Sequence, residues 1–195
     1  MKKILKILIV CINLQAFAQT EIPIEDKSKQ ENRIKRSSDY YYKDINGVLD
    51  KFVGTWRYQS PIELFEITFT KVSQIRTGMG YYKDELYSRY KYIKNGQVIY
   101  DTYNTPVTTE NNPSTDISGS IINNTDLNKI KLIYHEPGIR GGDFDSLSMT
   151  YFYSPRENKH RLNWKVKTAL YGTGTPGVYS TVYKMPYQMT LTKVE

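Results

Sequence analysis

From Phe65 onward the chain alternates. Phe65, Ile67 and Phe69 are separated by Glu66 and Thr68, and Leu86, Ser88, Tyr90 and Tyr92 by Tyr87, Arg89 and Lys91. A period of two sends successive side chains to opposite faces, so each run reads as a strand with one face toward a core. Asn95-Gly96 lies between two such runs, and both residues tolerate the positive φ of a two-residue hairpin turn. Val98, Tyr100 and Thr102 form the return strand. Similar runs occupy 117–121, 130–134, 147–153 and 162–166, and Val178, Val182, Tyr187, Met189 and Leu191 complete the series around a break at Pro186.

Eight or nine short strands, with no long helical period, predict an all-β fold: an antiparallel up-and-down barrel. Pro61 decides the count. As a bend it leaves one long strand over 52–72; as a turn it divides that stretch into a hairpin. The bend is preferred, because Ser60-Pro61 is a cramped turn for two strands. Ile45, Leu49 and Phe52 fall at i, i+4 and i+7 and predict a short N-terminal helix, weakened by Gly47.

Direction alternates along a meander, so the lengths of the connections sort by end. The long ones, 73–84, 104–115, 137–145 and 169–177, fall at one end; the tight ones, 94–97, 123–128 and 154–159, at the other. With Pro61 as a bend, the N-terminal helix plugs the tight-turn end and the long loops surround a mouth. Long loops on a rigid frame are where binding usually resides.

The N-terminus has a different character. Lys2, Lys3 and Lys6 precede an apolar stretch over 7–14, and Ala16-Phe17-Ala18 supplies small residues where a signal peptidase reads. That pattern predicts a cleaved leader over 1–18 and an exported protein, periplasmic or secreted. The stretch is short of the ~20 residues a spanning helix needs, so no transmembrane segment is expected after cleavage. Cys11 does not suit a lipidation site, since Val10 is too large for the position before it. It is the one cysteine, so the mature chain carries no thiol chemistry. Residues 19–38 are polar and highly charged and read as a flexible linker, with 39–195 forming a single barrel domain.

Loss of three lysines with the leader reduces the formal net charge of +7. The mild basic excess that remains is not a nucleic-acid footprint. It does fit weak attraction to anionic surfaces. Lys129, Lys131, Lys165 and Lys167 lie on strand faces opposite the apolar set, where they would meet an anionic envelope glycan, a lipid surface or a protein; lysines on sheets also restrain edge aggregation.

Catalytic patterns are lacking. His135 ends one strand and His160 begins the strand after next, which places them at opposite ends of a meander. Gly119-Ser120 sits in an alternating strand rather than at a strand-to-helix turn. Asp143 and Asp145 beside Gly141-Gly142 offer oxygens to a hard cation, but lack the acidic ladder of a calcium loop and read as a solvated turn. No enzyme activity, metal or cofactor is expected.

Tyrosine is abundant, at 18 residues. Several share faces with the aliphatic residues and should point inward, where a phenol seeks a hydrogen-bond partner. The candidate contacts for a small amphipathic ligand are Tyr90, Tyr100, Tyr134, Tyr151 and Trp164 inside, with Tyr81, Tyr103 and Tyr171 at the rim. The interior is either hollow or packed, and the oligomeric state is open.

Gly54-Thr55-Trp56, opening the first strand, resembles the Gly-x-Trp motif of lipocalin-like (calycin) barrels. That resemblance implies a floor role for Gly54 and Trp56, with a late cation stacked on the indole. No arginine follows Arg161, so Lys184 or Lys193 would stand in. The leader, Tyr42-Lys43-Asp44-Ile45-Asn46, Lys51-Phe52-Val53-Gly54-Thr55-Trp56, Tyr82-Lys83-Asp84-Glu85-Leu86 and Met189-Thr190-Leu191-Thr192-Lys193 resemble a domain-of-unknown-function family of small exported bacterial proteins. The resemblance implies a compact β-domain and no activity.

Overall fold

The computed structural model describes residues 19–32, 35, 37–104, 117–136, 145–167 and 184–195. In chain order its strands are β1 (Thr20–Pro23), β2 (Tyr40–Lys43), β3 (Gly54–Gln59), β4 (Glu63–Arg76), β5 (Tyr82–Lys94) and β6 (Gln97–Asp101). They continue with β7 (Ile117–Asn123), β8 (Asp126–Tyr134), β9 (Asp145–Ser154), β10 (Lys159–Lys167) and β11 (Gln188–Lys193). Eight of them, β3, β4, β5 and β7 to β11, form a closed antiparallel barrel. Closure is made twice. Lys193 pairs with Trp56 where β11 meets β3, and Leu86 pairs with Gly119 where β5 meets β7.

Pro61 makes a hairpin, not a bend. Gln59 pairs with Leu64, and the Ser60 hydroxyl accepts the amide of Glu63 at 3.0 Å, which closes the turn the sequence reading judged too cramped. The count of staves nevertheless stays at eight, because β6 is not one of them. The Asn-Gly hairpin forms as expected, with Asn95 at φ 50° and Gly96 at φ 75°, but β6 pairs with β5 alone. The edge of β5 away from β4 is divided among three strands: β2 in parallel at Tyr82 and Lys83, β7 at Leu86 and Tyr87, and β6 from Lys91 to Lys94.

An added hairpin and a lost stave cancel in direction, so the sorting of connections survives from β7 onward. The chain leaves β8 and β10 at one end, hereafter the long-loop end, whereas β6 starts there and runs away from it, from Gln97 opposite Lys94 to Asp101 opposite Lys91. Short turns join β7 to β8 and β9 to β10 at the other. The stretch 73–84 departs from expectation: β4 runs on to Arg76, and the remaining connection to β5 lies at the short-turn end. The 94–97 hairpin sits at the long-loop end instead.

The N-terminal helix does not form. Gly47 takes φ +63°, which ends any helical run, and a Cβ there would lie 2.7 Å from the Asp50 carboxylate. The segment closes as turns and a three-residue 3-10 turn, Asp50–Phe52. The Asp44 carboxylate holds it by accepting the amide of Val48 at 2.7 Å and that of Leu49, with the Lys71 ammonium 3.0 Å away. Val48, Leu49 and Phe52 are buried, whereas Ile45 is exposed. Lys51 donates to Leu127 O and Asn128 Oδ1, so the plug still covers the short-turn end.

Part of the polar stretch before it is also built into the sheet. β1 pairs with β2, followed by short 3-10 turns, and Ile22 and Ile24 enter the core. Two apolar side chains in a charged segment were too few to show as a period. The leader over 1–18 lies outside the described residues. Among the described residues, no helix is long and apolar enough to cross a membrane.

Candidate functional site

Alternation turns Phe65 and Ile67 of β4, Tyr90 and Tyr92 of β5, Tyr134 of β8 and Trp164 of β10 into the barrel, all fully buried. Phe65 stands at the centre of an aromatic cluster toward the long-loop end. Its ring centroid lies 5.3 Å from Trp164, 5.9 Å from Tyr90 and 6.3 Å from Tyr92, and Tyr134 approaches Trp164 at 6.1 Å. Edge-on and tilted contacts predominate, as the ring quadrupoles favour. Tyr100, on β6, joins edge-on to Tyr90 at 6.4 Å.

Four of the five inward candidates therefore gather: Tyr90, Tyr100, Tyr134 and Trp164. Tyr151 does not. It lies at the short-turn end, 6.4 Å from both Phe52 and Trp56, with its hydroxyl 2.6 Å from His160 Nδ1. Tyr81 is not a rim residue, since it is buried at the short-turn end with its ring 5.2 Å from Tyr42 and 4.7 Å from the Lys27 ammonium. Tyr103 is exposed and reaches Thr68 Oγ1 at 3.1 Å on the outer face of β4. Tyr171 lies outside the described residues, as do Asp143 and the side chain of Asp145.

Above the cluster sits a carboxylate the sequence reading missed. Glu136 is 5% exposed. Its Oε1 accepts the Tyr100 hydroxyl at 2.9 Å and the amides of Lys184 at 2.6 Å and Met185 at 3.3 Å; its Oε2 accepts the Tyr134 hydroxyl at 3.1 Å. Burial, with the Glu136 charge next, pushes the Tyr134 phenol far above its ordinary range, so it stays a donor. Tyr92, pushed up first by burial and then by its bond to Glu63, does the same at 2.8 Å. The signal for Glu136 was present: it continues the inward parity of Ile130, Leu132 and Tyr134 one step past the strand.

Trp164 contrasts with these. Its indole Nε1 is buried and has no hydrogen-bond partner among the described residues. Trp56, by comparison, donates its Nε1 to Phe52 O at 2.8 Å.

A family model matches residues 1–193. The chain belongs to DUF6705, a family of unknown function. No curated protein matches, and no solved structure matches. The DUF6705 barrel thus stands on its own geometry: a plugged short-turn end, an aromatic interior, and a carboxylate-bound rim where β6, the residues after β8 and the approach to β11 converge.

Proposed function

We propose that this protein is an exported, non-enzymatic barrel that carries a small amphipathic molecule at its long-loop end, seated against Trp164 beneath Glu136. The observation that carries the reading is the Trp164 N–H, which has no hydrogen-bond partner among the described residues. A buried donor left unsatisfied costs about 1–3 kcal/mol, and native interiors pair the great majority of such groups. Phe65, Tyr90, Tyr134 and Trp164 are at most 1% exposed, so the occupant enters as these rings part, presenting a hydrogen-bond acceptor to the indole and an apolar body to the rings. Export rests on the lysine-led apolar leader and its Ala16-Phe17-Ala18 ending.

Native mass spectrometry on protein purified from its own source without detergent tests this. The folded mass should exceed the denatured mass by one small molecule, and the excess should vanish in Trp164→Phe. A bare folded mass, together with unchanged Trp164 emission in Trp56→Phe protein titrated with oleate and with 1-anilinonaphthalene-8-sulfonate, overturns it.

A further inference from the structure

The outward positions of β8 to β11 hold no carboxylate. Every second residue of these four adjacent strands faces out, and the set comprises lysines, Arg161, hydroxyl and amide residues, and a few apolar side chains. Register fixes the rows. Lys131 pairs with Ser148 and Ser148 with Lys165; Lys129 pairs with Thr150 and Thr150 with Asn163; Ile133 pairs with Ser146 and Ser146 with Lys167. In these rows the middle strand contributes Ser146, Ser148 and Thr150, all half-buried, flanked by exposed lysines. Alternate strands lie about 9.6 Å apart. The result is a shallow hydroxyl-floored trough with ammonium groups along both sides.

Three of the four lysines are uncompensated. Lys129 has Asp126 at 3.1 Å, but among the described residues Lys131, Lys165 and Lys167 have no carboxylate within ion-pair distance. Several cations elsewhere on the molecule are matched, Lys43 by Glu21, Lys91 by Asp101, Lys94 by Glu63 and Arg57 by Glu66; the trough differs in gathering its unmatched lysines on one face. Beside the trough, Thr192 lies between Arg161 and Arg57 and floors a groove of about 480 Å³ that also includes Lys159 and Lys193; there both arginines are paired, with Glu157 and Glu66.

We infer that this face is a docking surface for a linear acidic polysaccharide, one whose carboxylate or sulfate groups meet the lysines while its hydroxyls bond the serine and threonine floor. Charge complementarity selects a polyanion. The floor selects a sugar chain, because single-stranded nucleic acid needs exposed aromatic platforms and Phe152, half-buried, is the one aromatic residue at the outward positions. A lipid surface needs a continuous apolar wedge, whereas the exposed apolar residues on this face of β8, Leu127 and Ile133, are separated by Lys129 and Lys131. The surface works independently of any occupant inside the barrel.

The test is binding of fluorescein-labelled dextran sulfate and polygalacturonate by anisotropy, with neutral dextran, a single-stranded oligonucleotide and anionic phospholipid vesicles compared at equal salt. Both acidic glycans should bind, weaken steeply as salt rises, and lose about tenfold or more in affinity in Lys131→Gln/Lys165→Gln/Lys167→Gln, as removal of three screened charge contacts implies. Lys43→Gln/Lys91→Gln/Lys94→Gln, whose lysines are already paired with Glu21, Asp101 and Glu63, should bind as wild type with the same loss of three charges. An equal loss in that control reduces the effect to net charge and overturns the proposal. So does binding unaffected by the triple substitution, or tighter binding of the oligonucleotide or the vesicles. Circular dichroism melts confirm that both variants fold.

Discussion

The Lys193 ammonium lies 5.5 Å from the centre of the Trp56 ring. The two residues are paired across the β11–β3 closure, and the Lys193 side chain runs past Gly54, where a Cβ would come within 3.3 Å of its Cε. A late cation therefore covers the indole at the start of the first stave, with lysine in the place expected of it.

That contact yields the first prediction. A cation over an aromatic face is worth about 0.5–1 kcal/mol at an exposed site. Lys193→Gln should lower unfolding free energy by about that amount, Lys193→Arg should not, and a double-mutant cycle with Trp56→Phe should return a coupling of the same size. Urea unfolding at fixed pH measures all of them.

The two tryptophans should respond differently to the same change. Trp56→Phe removes ring volume and also strands the Phe52 carbonyl, whereas Trp164→Phe removes ring volume and an N–H that bonds nothing among the described residues. In ligand-free protein Trp56→Phe should cost more, by about 1 kcal/mol, the net worth of one buried hydrogen bond. Equal costs in matched urea titrations would contradict that ordering.

Glu136 ties the residues after β8 to those before β11. Glu136→Gln leaves one carbonyl oxygen for donors that now share two, and a stranded buried donor costs about 1–3 kcal/mol. The Lys184 and Met185 amides, which bond Oε1, should exchange their hydrogens at least several-fold faster. Amides in β4, on the far side of Phe65, should change little. Site-resolved hydrogen exchange separates the two.

Alkaline pH should destabilise the fold in a defined window. Tyr41 donates to the buried Asp84 carboxylate, which also accepts the amides of Asp44 at 2.8 Å and Gln74 at 3.1 Å. Burial, then the bond to Asp84 and its charge, pushes the Tyr41 phenol up to about 12. The native state therefore holds this proton more tightly than the unfolded chain does. Its contribution is fully present below pH ~10, the ordinary tyrosine value, and is lost as pH rises through the native value. Tyr41→Phe should be less stable at pH 8 and lose less between pH 10 and about 12. Thermal melts across that range check the slope.

Alternation read the faces correctly where it was long. Phe65, Ile67, Tyr90, Tyr92, Tyr134 and Trp164 all point inward, and four of the candidate contacts meet around Phe65. It misread Tyr81, because a residue just before a strand takes its environment from what docks there, in this case Tyr42 and Lys27. It passed over Glu136, since a carboxylate is not counted as inward until its donors are known, and two of those donors lie some fifty residues later.

The sequence by itself determined which side chains face the core, because the pleat is a local property with a fixed period of two. It also determined the Asn95-Gly96 hairpin, because that turn depends on the two residues in it. Tertiary structure decided the rest. Whether β6 or β7 closes the barrel depends on how the edge of β5 is shared among β2, β7 and β6, and hydrogen bonding between distant segments settles that competition. The same closure brings Lys193 onto Trp56, and register between β8, β9 and β10 aligns Lys131 with Lys165. Such pairings carry no local signature, since each is fixed only when both strands find their places against a third.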